Sequence, residues 1–256
     1  MGLLKTQAVA LKSRKWGEAD RIVTFYTLRY GKLRGVARGA RRVKSRFGSA
    51  LEPFVHADLN LFEKGNDPLC RITQADIRES FGALREDLTL MSAAARLVNL
   101  VDAVTAEQDC GARIFETLLE GLRALTRTAD AALDALVYQI RLLGQTGFRP
   151  QTDHCAACGK PCESSLRFAP ASGGLVCSAC ERRAAQCFPL SPGSVAFLQQ
   201  AIRLAPDVVT RLKATGQVRA EVEAAIESYV TVVAGKRLPA TDFLAAEPEP
   251  AYDLRT

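Results

Sequence analysis

Apolar and polar residues alternate with a period near two through the first eighty residues, then recur with a period near 3.6 beyond them. "QAVALKS" and "RIVTFYTLRYG" are rich in β-branched and aromatic residues and read as strands. Gly17 and Asp20 in "RKWGEAD" supply a turn between them. "KLRGVARG" follows Gly31 as a third strand. "FVHADLNLFEKG" is a fourth, with Val55, Ala57, Leu59 and Leu61 on one face, and "LCRITQADIRES" is the fifth. Five short strands in so few residues imply a small antiparallel sheet or a closed barrel. A five-stranded, partly open barrel that binds nucleic acid is the OB-fold, and on pattern alone it stands about even with other small barrels.

Helical spacing begins near Leu84. "LREDLTLMSAAARLVNLVDAVTAE" places Leu97, Leu100, Val101 and Val104 on one face. "ARIFETLLEGLRALTRTA" and "AALDALVYQIRLLGQTG" repeat the pattern before Gly147 and Pro150 stop it, so three packed helices are expected. Helical character returns at "SPGSVAFLQQAIRLA", with Ser191 as N-cap and Pro192 at the first position. It ends with "RAEVEAAIESYVTVVAG" at Gly235. The expected fold class is α+β: a small five-stranded barrel at 1–80, helices at 81–150 and 189–245, a four-cysteine module at 151–188, and a fraying tail at 246–256.

The chain has 256 residues, 48% of them hydrophobic and 24% charged, enough for a core without disulfide staples. No apolar run approaches the roughly 18–20 residues of a membrane-spanning helix. The N-terminus lacks the pattern of a signal peptide, and Met1–Thr6 fits a myristoylation pattern only loosely. The expected compartment is the cytoplasm. Residues 1–80 carry 16 Lys and Arg against 8 Asp and Glu; the remainder carries 18 against 20. The positive charge therefore belongs to the barrel, and it points to a polyanionic partner.

Cys155 and Cys158 form one CxxC hook; Cys177 and Cys180 form another eighteen residues on. That spacing suits a four-thiolate zinc site, in which each hook aims two sulfurs at one ion. Disulfides, a redox pair and chance spacing compete. A reducing cytosol disfavours the first, and the absence of a βαβ context disfavours the second. His154, Cys162 and Cys187 are near enough in sequence to replace a ligand. Cys70 and Cys110 read as core residues. Four thiolates leave no open position, so the zinc, one per chain, is expected to be structural. His56 reads as a structural or surface histidine. No GxSxG, HExxH or phosphate-loop motif is present, and no nucleophile–base set is visible.

The stretch "GKLRGVARGARRVKSRFGS" holds Lys32, Arg34, Arg38, Arg41, Arg42, Lys44 and Arg46, and no acidic residue lies between Asp20 and Glu52. These seven side chains are the expected phosphate contacts. The glycines are expected to let backbone approach a strand, and Trp16, Tyr26, Tyr30 and Phe47 offer rings, several of which must pack the core instead. A solvated loop and a membrane surface are the competing readings. Lys12, Arg14 and Lys15 are a second place for a nucleic-acid path.

These pieces resemble the RecO family of bacterial recombination mediators. The resemblance is carried by "WGEADRIVTFYTLRYGKLRGVARGARRVKSRFGSALEPF" and by "YQIRLLGQTGFRPQTDHCAACG" followed by "GGLVCSAC". It implies an N-terminal OB-fold, a helical domain carrying the zinc module, binding of single- and double-stranded DNA and annealing of complementary strands, without enzymatic activity. It also implies partnership with RecR and with the acidic tail of single-stranded-DNA-binding protein, in loading RecA at the nucleoid. The alternative is an OB-fold zinc protein that binds RNA.

Overall fold

The structure, a computed structural model, describes residues 2–63, 69–162, 166–205, 208 and 212–238. The tail expected to fray lies outside them. All five expected strands are present: β1 (Leu3–Trp16), β2 (Asp20–Thr27), β3 (Gly31–Ala37), β4 (His56–Phe62) and β5 (Cys70–Glu79). They close into a barrel in the order β1-β2-β3-β5-β4, antiparallel except where β3 meets β5. Strand β1 is long enough to pair with both β2 and β4, and its register shifts between Ala10 and Lys12. Such a bulge bends a strand into a closed sheet.

The alternating faces fall where the pattern puts them. Val55, Ala57, Leu59 and Leu61 are buried inside the barrel with Ala8, Ala10, Val23, Phe25 and Ile72. Phe47 and Leu51, from the β3–β4 connection, join the same core.

Helices α1 (Ala83–Glu86), α2 (Leu88–Val104), α3 (Ala112–Leu125) and α4 (Ala131–Gln145) follow. Asp87 caps α2 by accepting from the Thr89 and Leu90 N–H groups. Next come β6 (Arg167–Ala169), a 3₁₀ turn (Pro170–Ser172), β7 (Gly174–Val176), α5 (Ser178–Glu181) and β8 (Phe188–Pro189). The last helices are α6 (Pro192–Arg203) and α7 (Gly216–Ala234). Ser191 caps α6 through the Ser194 N–H, and Gly235 ends α7 in a left-handed conformation. Leu97, Leu100 and Val101 are fully buried on α2, with Val104 half-buried beside them.

Barrel and helices share one core. Val9, Leu11 and Tyr26, on the outer face of β1 and β2, are fully buried in the cluster built by the helices. Two polar locks flank this seam. In the first, Asp102 of α2 pairs with Lys12 at 2.9 Å, and its carbonyl accepts from Lys32 Nζ at 2.6 Å. In the second, Arg123 of α3 donates to Glu79 at 2.8 Å, while buried His56 sits 3.0 Å from Glu79 and 3.2 Å from Gln7. His56 is thus structural, edge-on to Phe115. The seam also fixes Gly31. Its φ is +62°, and a Cβ there would lie 2.1 Å from the Asp109 carbonyl oxygen. Cys110, expected in a core, is instead exposed in the α2–α3 connection; no apolar face of that loop turns inward to bury it.

Two outcomes test this packing. Leu59→Asp puts an unpaired carboxylate into the barrel core at a cost of several kcal/mol, and insoluble or unfolded protein is expected. A soluble variant with native circular dichroism would contradict the register. The Arg123 guanidinium holds the Glu79 carboxyl at about 2, well below the usual carboxylate range. A depressed carboxylate stabilises the fold above its unfolded pKa and loses that contribution as pH falls through its folded one. Glu79→Gln should therefore lower Tm at pH 7 by about 2–4 °C, the effect of roughly 1 kcal/mol in a chain of this size. The gap should close between about pH 4.5 and pH 2 in parallel thermal melts.

Candidate metal centre and nucleic-acid interface

The cysteine module is built from two hooks and a short sheet. Strand β6 pairs with β7 and β8, and the turn between β6 and β7 runs from Pro170 to Gly173, with Gly174 opening β7. The first hook is held to this sheet by Ala156, whose N–H donates to the Leu175 carbonyl at 2.7 Å. It closes when Gly159, at φ +73°, donates its N–H to the Cys155 carbonyl at 2.8 Å. In the second hook Cys177 stands before α5 and Cys180 within it, with the Cys180 N–H on the Cys177 carbonyl at 3.0 Å. Phe168 and Tyr229 meet edge to face at 5.7 Å and anchor the module to α7.

These folds bring Cys155, Cys158, Cys177 and Cys180 together, with all four sulfurs within 4.8 Å of one another. The Cys158 and Cys177 sulfurs are 3.7 Å apart, too far for a disulfide. A tetrahedral ion about 2.3 Å from each sulfur would set its ligands about 3.8 Å apart. The four can therefore hold a metal ion, and an all-thiolate set is consistent with zinc. Electrostatics point the same way. Burial pushes the Cys155 thiol up, but N–H groups of Cys177, Cys158 and Ala157 outweigh it and bring it to about 6. The neighbouring Cys158 and Cys177 sulfurs push Cys180 up to about 12. Four sulfurs this close cannot all ionise unless a cation neutralises them. Cys162 packs against the module, while His154 meets Gln151 and Cys187 lies outside the four-sulfur group.

The basic stretch divides in two. Lys32 and Arg34 lie on β3 and turn toward the helices: Lys32 ends on Asp102, and Arg34 pairs with Glu107. The α2–α3 connection continues the sheet here, with the Gln108 N–H on the Lys32 carbonyl at 3.0 Å. Gly31 and Gly35 use their missing side chains against Asp109 and Ile72, not against a ligand. Arg38, Arg41, Arg42, Lys44 and Arg46 are exposed together in the β3–β4 connection. The carboxylates nearest in sequence are committed elsewhere: Asp20 accepts from the Gly39 N–H, and Glu52 pairs with Arg21. Arg41 donates to the Gly17 and Glu18 carbonyls, which ties the loop to the β1–β2 turn. Arg46 stacks on buried Phe47.

Of the four candidate rings, Tyr26 and Phe47 are buried, Tyr30 is half-buried and Trp16 is exposed. Lys12 is taken by Asp102. The sequence reading missed Asp102 and Glu107. Both sit more than sixty residues from the cations they hold, and no local pattern links them.

Known proteins match this chain in sequence over most of its length. The family model described as Recombination protein O N terminal matches residues 1–81, and that for Recombination protein O C terminal matches residues 85–242. The DNA repair protein RecO of Heliobacterium modesticaldum is 34% identical over 235 residues, covering 90% of this chain and 85% of its own. That of Desulforamulus reducens is 31% identical, covering 95% and 94%. That of Nocardioides is 40% identical over 183 residues, 70% of this chain and 74% of the relative. The chain belongs to the RecO family.

Proposed function

We propose that this RecO-family chain is a non-enzymatic DNA repair and recombination mediator. It binds single- and double-stranded DNA, anneals complementary strands and helps load the RecA recombinase. RecR and the acidic tail of single-stranded-DNA-binding protein are its partners, and it works in the cytoplasm at the nucleoid. Residues 1–80 carry the DNA, 151–188 form a zinc module, and 81–150 with 189–245 form the helical unit that carries it. The observation behind this reading is the exposed loop of Arg38, Arg41, Arg42, Lys44 and Arg46, with no acidic residue between Asp20 and Glu52. Such a field attracts phosphates whatever the base sequence. Lys32 and Arg34 contribute to that field from the seam. No helix among the described residues is long and apolar enough to cross a membrane.

Phosphate binding releases counterions, so the logarithm of affinity falls linearly with the logarithm of salt, by about 0.7 per contact for single strands and about 0.9 for duplex. Changing Arg38, Arg42 and Lys44 together to Ala should flatten that slope by about two units, for unrelated sequences alike. Annealing of strands coated by single-stranded-DNA-binding protein should weaken in step. Arg41 is left in place because it holds the β1–β2 turn. Fluorescence anisotropy across a salt series decides; an unchanged slope in the folded variant would return the loop to ordinary surface charge.

Cys155, Cys158, Cys177 and Cys180 are the assigned zinc ligands, and the ion's role is to hold two hooks that have little core of their own. Cys177→Ser should lose about one equivalent of zinc and melt at lower temperature, while DNA affinity at low salt changes much less. Elemental analysis finding no zinc in protein purified without chelators would refute the assignment.

A further inference from the structure

Trp16 is the chain's one tryptophan, and its place in the barrel leaves it at the surface. Beyond the β1 bulge, Lys12, Arg14 and Trp16 stand opposite Thr24, Ile22 and Asp20. Thr24 and Ile22 stand in turn opposite Arg34 and Val36, and Val36 opposite Arg71. Residues opposite one another in register share a face of the sheet. The ion pairs from Lys12 to Asp102 and from Arg34 to Glu107 identify that face as the outer one. One cross-strand row therefore reads Arg14, Ile22, Val36, Arg71: an apolar middle with a guanidinium at each end. Trp16 lies one outward position beyond Arg14.

The two ends of this outer face differ. Toward the helices it is closed: Val9, Leu11 and Tyr26 are buried in the shared core, and Lys12 and Lys32 are held by Asp102, while Arg34, paired with Glu107, stays about half exposed at the boundary. Away from the helices it is open. Ile22 and Val36 are half-buried, Arg14 and Arg71 are exposed, and the Trp16 residue is 38% exposed. The basic loop borders the open end, because Arg41 is bonded to Gly17 and Glu18, immediately after Trp16. An aromatic ring beside a set of cations is what a single strand requires: the ring takes an unstacked base while the cations take its phosphates. A duplex offers the same phosphates, but its bases are stacked on one another and their faces are not available.

Resting on the DNA-binding reading above, we infer that Trp16 is a base-stacking platform that makes this surface favour single-stranded over duplex DNA. The path runs across the open end of the β1–β2–β3 outer face, with the loop at 38–46 following the phosphates.

Since Trp16 is the only tryptophan, its emission reports contact directly. The full-length protein is titrated with oligo(dT) and, separately, with a duplex. Anisotropy of the labelled DNA measures binding, and tryptophan fluorescence measures stacking. The expected result is quenching by oligo(dT) that saturates with binding, and little quenching by duplex. Trp16→Ala should weaken oligo(dT) binding by roughly five- to a hundredfold, the loss typical of one stacked base. It should leave duplex affinity within about twofold and both salt slopes unchanged, because no phosphate contact is lost. Trp16→Phe keeps a ring and should retain most of the affinity, which separates stacking from any loss of structure in the Ala variant. Binding of oligo(dT) without quenching, or equal losses on single strand and duplex, would overturn the inference and leave the DNA-binding reading in place. No binding of wild type to either DNA at low salt would overturn both.

Discussion

Barrel and helices are joined by burial of what would otherwise be an exposed face of β1 and β2. Val9, Leu11 and Tyr26 project away from the barrel interior, yet they are fully buried because α2, α3 and their neighbours cover them. At roughly 25 cal/mol per Å² of apolar surface removed from water, three such side chains hold the two parts together more strongly than exposed ion pairs could. Asp102 sits at the edge of this contact, where Lys12 and Lys32 converge on it with side chains 22% and 14% exposed. In such partly desolvated surroundings each lysine gains more from its partner than it would in open water.

That seam governs where charge is available. It pairs Lys12 and Lys32 with Asp102 and leaves Arg34, paired with Glu107, about half exposed, and it uses the space at Gly31 for the approach of Asp109. It also closes one end of the outer face on which small barrels of this kind meet oligonucleotides. What stays open is the end away from the helices, beside a loop anchored by Arg41 to the β1–β2 turn. The position of the basic surface follows from which cations α2 and the α2–α3 connection have already paired.

The cysteine module follows a different logic. Its buried apolar set is small, with Cys155, Ala169 and Val176 at the centre, so packing alone contributes little. Backbone N–H groups aimed at Cys155 favour a thiolate, and the crowding of four sulfurs opposes ionisation at Cys180. A divalent ion held by the four sulfurs would relieve that conflict. The edge-to-face contact of Phe168 with Tyr229 then ties the module to α7.

The sequence by itself determined the elements and much of their chemistry. Period-two alternation located the five strands and put Leu59 and its neighbours inside, because the pleat sends successive side chains to opposite faces. Period 3.6 located the main helices, and Ser191, Pro192 and Gly235 marked ends because capping is a local matter. The two CxxC hooks named the four cysteines that converge, since each hook is a few residues of backbone. Only the tertiary structure decided that the sheet closes through a parallel contact of β3 with β5, and that Cys110 is exposed. It alone decided that Lys32 and Arg34 face Asp102 and Glu107 while Arg38 to Arg46 face solvent. The reason is physical: local periodicity records which side of a strand avoids water, but an outer face can be covered by chain from anywhere in the sequence. Which cations remain exposed therefore depends on carboxylates more than sixty residues away, brought close only when the helices dock.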